Sequence, residues 1–227
     1  MKEKLPVVNS HNEWSLLEEV IVGTVEGASF CPLHIAEKQV VKKQYWDMFN
    51  SKAGQPFPAE LIANAAKELD YLAEVLYKEG VKVRRPSVPN PDDFSKSFKT
   101  PDFECQSGLY AAMPRDVLIV VGNEIIEAPM GWRSRFFEYR AYRKLIKEYF
   151  REGAKWTAAP KPQMSDELYV SEGEFEGKDQ PGDWATTEFE PIFDAAEFMR
   201  FGKDIFTQRS GVTNCTGIQW IQQKHWR

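Results

Sequence analysis

The stretch from Asp116 to Pro160 constrains the fold most. Val117-Leu118-Ile119-Val120-Val121 is an unbroken apolar run behind an acidic residue. Gly122-Asn123 has hairpin-turn chemistry, and Glu124-Ile125-Ile126-Glu127-Ala128-Pro129 reads as the return strand. Trp132 to Phe150 reads as one long helix. Phe136, Tyr139, Tyr142, Leu145, Ile146 and Tyr149 lie on one side of it, and Arg133, Arg135, Arg140, Arg143 and Lys144 on the others. Gly153 ends that helix, and Trp156-Thr157-Ala158-Ala159-Pro160 is a further strand. A strand, strand, helix, strand module over residues 110–160 demands a mixed α/β fold.

A second helix-to-strand unit precedes it. Leu17 to Gly23 is a short strand that ends at glycine. Pro58 opens a helix carrying Leu61, Ile62, Ala65, Leu69, Leu72, Val75 and Leu76 at helical spacing. Gly80 stops it, and Val81 to Pro86 is a strand. Residues 9–16 read as a loop and 26–58 as irregular, with a short helix over Tyr45 to Phe49. Residues 86–99 are a loop, and 163–187, rich in Gly, Glu and Asp, an exposed one. Beyond it, Glu188 to Phe193 reads as a strand, Asp194 to Glu197 as an acidic turn and Phe198 to Phe206 as a hairpin. Thr213 to Gln223 is a helix with Thr213 or Asn214 as its cap. The pattern of the first module thus recurs without its last strand.

Composition excludes several function classes. The 227 residues hold 29 Lys and Arg against 34 Asp and Glu, a net charge of −5, and no basic run offsets it, which argues against a nucleic-acid partner. No apolar run reaches the roughly 18 residues of a membrane span. The start of the chain shows no secretory or organelle signal, so a cytoplasmic location is expected. Three Cys without a CxxC suggest reduced thiols. His11, His34 and His225 have no metal-ligand spacing, and no Gly-rich phosphate loop is present.

The candidate site residues are two aspartates in corresponding places. Asp116 precedes the first hairpin and Asp194 the second, where Ala195 and Ala196 leave space beside the carboxylate. Two carboxylates suit a guanidinium or amidinium, which presents several N–H donors in one plane. The same residues also fit plainer roles: Asp194 capping its own turn, and Asp116 paired with Arg115 or a helix arginine on the surface. The arginines after Trp132 could grip a carboxylate or phosphate, or form a solvated face with Glu138 and Glu148 as partners. Cys31, Cys105 and Cys215 read as buried structural thiols, although Cys215 stands where a helix start could stabilise a thiolate.

Asp116 to Pro129 followed by Trp132-Arg133-Ser134-Arg135-Phe136-Phe137-Glu138-Tyr139-Arg140 resembles glycine amidinotransferase (arginine:glycine amidinotransferase). So do Asn12-Glu13-Trp14, Thr100-Pro101-Asp102-Phe103-Glu104, Ala159-Pro160-Lys161-Pro162 and Phe193-Asp194-Ala195-Ala196. The resemblance runs from about residue 9 to about residue 221. It implies a pentein α/β-propeller of ββαβ modules, here incomplete, in a single domain over 1–227 truncated at its C-terminus. It implies transfer of the amidino group from L-arginine to glycine, giving ornithine and guanidinoacetate, the creatine precursor. The reaction would run through an amidino-cysteine, with a histidine as acid and base and with neither metal nor organic cofactor. Asp194 matches the family's catalytic aspartate beside that histidine, and Asp116 the aspartate that binds the guanidinium. Glu197 stands where the family has a second aspartate. Nothing in 195–227 matches the catalytic histidine or cysteine, and His225 and Cys215 are not those residues. The implied partners are small-molecule substrates and a second subunit in a homodimer, with no nucleic acid and no membrane segment; animal relatives are mitochondrial. Other readings stay open: an amidinotransferase with another acceptor amine, or a non-catalytic guanidinium-binding fragment.

Overall fold

The computed structural model describes residues 6–88, 90–171 and 184–225. In chain order its strands and helices are β1 (Glu19–Ile21), α1 (Ile35–Lys38), α2 (Trp46–Lys52), α3 (Ala59–Lys78), β2 (Lys82–Arg84), β3 (Phe98–Lys99), β4 (Glu104–Cys105), α4 (Pro114–Val117), β5 (Leu118–Val121), β6 (Glu124–Glu127), α5 (Arg143–Arg151), β7 (Lys155–Ala158), β8 (Phe198–Phe201), β9 (Asp204–Thr207) and α6 (Cys215–His225).

The expected module is present. Gly122 supplies the positive φ of 56° that the turn needs, and β5 pairs antiparallel with β6. Helix α5 crosses over, and β7 pairs parallel with β6, Ile126 opposite Thr157. The crossover buries Tyr142, Leu145, Ile146 and Tyr149 against Ile119, Ile125 and Ile126. Each such side chain contributes about 1.5–3 kcal/mol when withdrawn from water. β1 and β2 form a parallel pair through α3, and β8 and β9 an antiparallel hairpin that leads to α6. Phe193, Phe198 and Ile221 join the same core, so the second hairpin packs on the first module. The segment 10–12 ties the two hairpins together: Ser10 bridges Gly122 and Asn12 bridges Phe201.

Four expectations are corrected. Residues 132–150 are not one helix: 3-10 turns at Arg133–Arg135 and Glu138–Ala141 precede α5. Ser134, Arg135 and Glu138 are turned into the interior, where Ser134 donates to Glu37, Arg135 donates to Asp116, and Glu138 accepts from Arg135, and these bonds hold the backbone in tighter turns. The apolar run does not begin as strand at Asp116, because Pro114 starts a single helical turn that includes it. Glu188 to Phe193 is not a strand; Asp194 leads into a 3-10 turn at Ala195–Glu197. The stretch 163–187 is not simply exposed: Met164, Leu168, Tyr169 and Ala185 fill a second core with Ile35, Phe103 and Ile192, while 172–183 lie outside the described residues. Few apolar residues, spaced irregularly, gave no periodic signal there.

Candidate active site

The approach of Asp116 to Asp194 is fixed by the residue between Pro114 and Asp116. Arg115 donates to the backbone carbonyls of Ala195 and Phe198, the two ends of the turn that follows Asp194. The turn of α4 and the turn after Asp194 are thereby locked together. Thr213 and Asn214 hold the other side. Thr213 Oγ1 accepts from the Asp194 backbone N–H at 3.2 Å, and Asn214 Oδ1 accepts from the N–H of Ile192 at 3.1 Å. Asn214 Oδ1 also accepts from Gly217 N–H at 2.8 Å, which caps α6 as expected. A side chain at Gly217 would strike the Ile192 carbonyl, since a Cβ there falls 2.2 Å from its oxygen.

Arg135 stands between the two aspartates. Its Nη1 lies 2.9 Å from Asp116 Oδ2 and 3.6 Å from Asp194 Oδ2. Its Nε and Nη2 donate to the two oxygens of Glu138 at 2.5 and 2.9 Å, a bidentate fork. The arginine is only 5% exposed and faces the Tyr110 ring. One guanidinium therefore meets three carboxylates.

The electrostatics follow from that imbalance. Burial alone would lower the Arg135 pKa, but Glu138, Asp194 and Asp116 outweigh it and hold the group charged. Burial pushes the Asp194 carboxyl up to about 8; Arg135 pulls it down, and Asp116, Glu138 and Glu197 push it further up. Asp194 Oδ1 is buried with no hydrogen-bond partner in the structure. An unpaired buried carboxylate is unfavourable, so Asp194 either holds a proton or takes a cationic partner. Burial also lowers the Lys161 ammonium to about 8; it donates to the Pro129 carbonyl and lies over the Phe136 and Tyr139 rings. The arrangement can bind a planar cation at Asp194 and release a proton as it does so.

The structure thus brings Asp116 and Asp194 together, and excludes the plainer surface pairing for Asp116, whose arginine partner is buried. Glu197 is set apart from the pair and accepts from Gln208 at 3.0 Å. The thiols divide: Cys31 and Cys105 are buried as expected, whereas Cys215 is exposed at the first turn of α6, where the helix turns its flank outward. Arg135, Glu138 and Arg115 were not expected in the site. The (i, i+3) spacing of Arg135 and Glu138 was the available signal, but that spacing is as common on solvated helix faces. Among the described residues no group of three or more His, Cys, Asp and Glu could hold a metal ion, and no helix is long and apolar enough to cross a membrane.

No family model matches the chain. Known proteins do. The mitochondrial glycine amidinotransferase of Xenopus tropicalis is 54% identical over 222 residues, which cover 95% of this chain and 52% of that protein. The L-arginine:L-lysine amidinotransferase of Pseudomonas savastanoi pv. phaseolicola is 51% identical over 216 residues, 95% of this chain and 59% of that one. Among solved structures, an amidinotransferase of the saxitoxin biosynthetic pathway from Microseira wollei superposes with a TM-score of 0.87 at 50% identity, over 97% of this chain and 63% of that chain. The chain spans about half the length of the curated relatives it matches. Half the residues identical along almost the whole chain, on the same mixed α/β arrangement, mean that it has the pentein fold in part and belongs to the glycine amidinotransferase family.

Proposed function

We propose that this chain is the N-terminal portion of an amidinotransferase that takes the amidino group of L-arginine, and that Asp116 and Asp194 bind the guanidinium. The observation that carries this reading is the unpartnered, buried Oδ1 of Asp194 beside Asp116 in a cluster short of positive charge. An arginine guanidinium would supply the missing cation and lie flat against the carboxylate edge. Asp194 would also orient the histidine that the family resemblance implies. A cysteine thiolate then attacks the guanidinium carbon, ornithine leaves with a proton, and the acceptor amine displaces the thiolate. No residue of this chain matches that histidine or cysteine, so guanidinium binding is the part of the reaction assigned to it. Glycine is the proposed acceptor, with guanidinoacetate as product; the similarity to an L-lysine enzyme over the same region makes L-lysine the competing choice.

Calorimetric titration of the chain with L-arginine tests the binding reading. Saturable binding that Asp194→Asn weakens about ten- to hundredfold is expected, the worth of one charge-assisted contact. Arginine bound equally by the variant would sink it. The acceptor is tested by supplying glycine and L-lysine to a protein carrying this region at the family's full length, and following guanidinoacetate and ornithine.

A further inference from the structure

The basic stripe after Trp132 is not used by the site. Arg140 and Lys144, Arg143 and Lys147, and Lys147 and Arg151 are each four residues apart, so these cations gather on one side of α5 and the turn before it. Like charges at these spacings oppose helix formation unless carboxylates or a ligand compensate them. The two carboxylates that could do so are engaged elsewhere. Glu138 is buried on Arg135, and Glu148 is paired with Arg84 from β2. Glu152, just past the helix, makes no ion pair among the described residues, and neither do Arg140, Lys144, Lys147 or Arg151. Arg143 reaches Glu127 through Nη2, but its buried Nε has no acceptor. These five cations, with Glu148 and the exposed Ser87, line a cavity of about 400 Å³. That volume falls within the range of small-molecule sites, in a depression open to solvent. The chain as a whole is negative, so this concentration of positive charge is local.

We infer that the cleft between α5 and Ser87 is a binding site for a small phosphate-bearing anion. Arg140 offers forked N–H donors that fit phosphate oxygens, Arg143, Lys144 and Lys147 add positive charge, and Ser87 adds a hydroxyl. A polyphosphate carries enough charge to engage several of these groups at once, and the chain's net charge of −5 disfavours a nucleic-acid strand. The site shares no residue with Asp116, Asp194 or Arg135, and it stands whether or not the arginine reading holds.

The test is calorimetric titration of the chain with inorganic pyrophosphate and with inorganic phosphate. One saturable site is expected, tighter for pyrophosphate, and weaker as salt rises through ~0.15 M because the charges are open to solvent. Lys144→Gln with Lys147→Gln, both exposed, should weaken pyrophosphate about tenfold or more. Lys67→Gln with Lys155→Gln removes the same charge elsewhere and should leave binding unchanged. Three results would overturn the inference: no saturable binding at millimolar pyrophosphate, equal weakening by both variant pairs, or tighter binding of a short RNA, which would make the stripe a nucleic-acid face.

Discussion

Arg135 donates from Nη1 to Asp116 Oδ2 at 2.9 Å, so the guanidinium position that two converging aspartates suggest is occupied in part by the protein's own side chain. The same nitrogen lies 3.6 Å from Asp194, while Glu138 fixes the far edge of the guanidinium. Asp194 therefore titrates in a field set by one cation, Arg135, and three carboxylates, Asp116, Glu138 and Glu197, and each can be removed in turn.

That gives opposed shifts. Glu138→Gln removes a negative charge and should lower the Asp194 pKa from about 8; Arg135→Met removes the positive one and should raise it. Carboxyl carbon NMR titration reads both. Arg135→Lys keeps the charge and should fall between Arg135→Met and the parent. Shifts of the same sign in Glu138→Gln and Arg135→Met would show general loosening instead of a local field.

Stability should fall as the solution becomes alkaline. Asp194 moves from an ordinary 3.8 to about 8, and burial raises Glu37 from 4.5 to about 7, against the hydrogen bond it accepts from Ser134. Both are raised, so between roughly pH 4 and 8 the folded chain holds protons that the unfolded chain has lost. Stability is thus greatest below that window and declines through it. Thermal melts from pH 5 to 8.5 should show a falling Tm, with a shallower fall in Asp194→Asn.

Arg115 should matter through its backbone contacts. Arg115→Ala leaves the Ala195 and Phe198 carbonyls without a charged donor and frees the α4 turn from the turn after Asp194. A loss of about 2–3 kcal/mol is expected in urea unfolding, together with weaker arginine binding. Full stability in the variant would show that packing alone holds the two turns together.

The thiols should separate by exposure. Cys215 is exposed, whereas Cys31 and Cys105 are buried, the Cys105 thiol pushed up to about 12 by burial. An aromatic disulfide reagent should therefore modify one thiol quickly in the native chain and the other two only as it unfolds. Cys215→Ala should abolish the fast phase.

Much of this was legible in the residues. The run Val117–Val121, the Gly122-Asn123 turn and the spacing of Leu145, Ile146 and Tyr149 identify the ββαβ module, because strand and helix periods are local properties. Asp116 and Asp194 were legible as a pair because each stands before a recognisable hairpin. Arg135 and Glu138 were not. Their identity and spacing match a solvated helix face, and only the turned backbone at 133–141 puts them inside. The same holds for Met164 and Leu168, apolar residues in a polar stretch that find a core made by distant segments.

The sequence by itself determined the ββαβ module, the mixed α/β class and the family, and it singled out the two aspartates as candidates. Those depend on short-range periodicity, turn chemistry and residue identity. The tertiary structure alone decided that a buried arginine stands between the aspartates, that Asp194 keeps one oxygen unpaired, and that Glu148 on α5 pairs with Arg84 of β2 and Glu138 with Arg135. Charge partnership is settled by whatever chain packs within a few ångströms, across separations in sequence that no local pattern encodes.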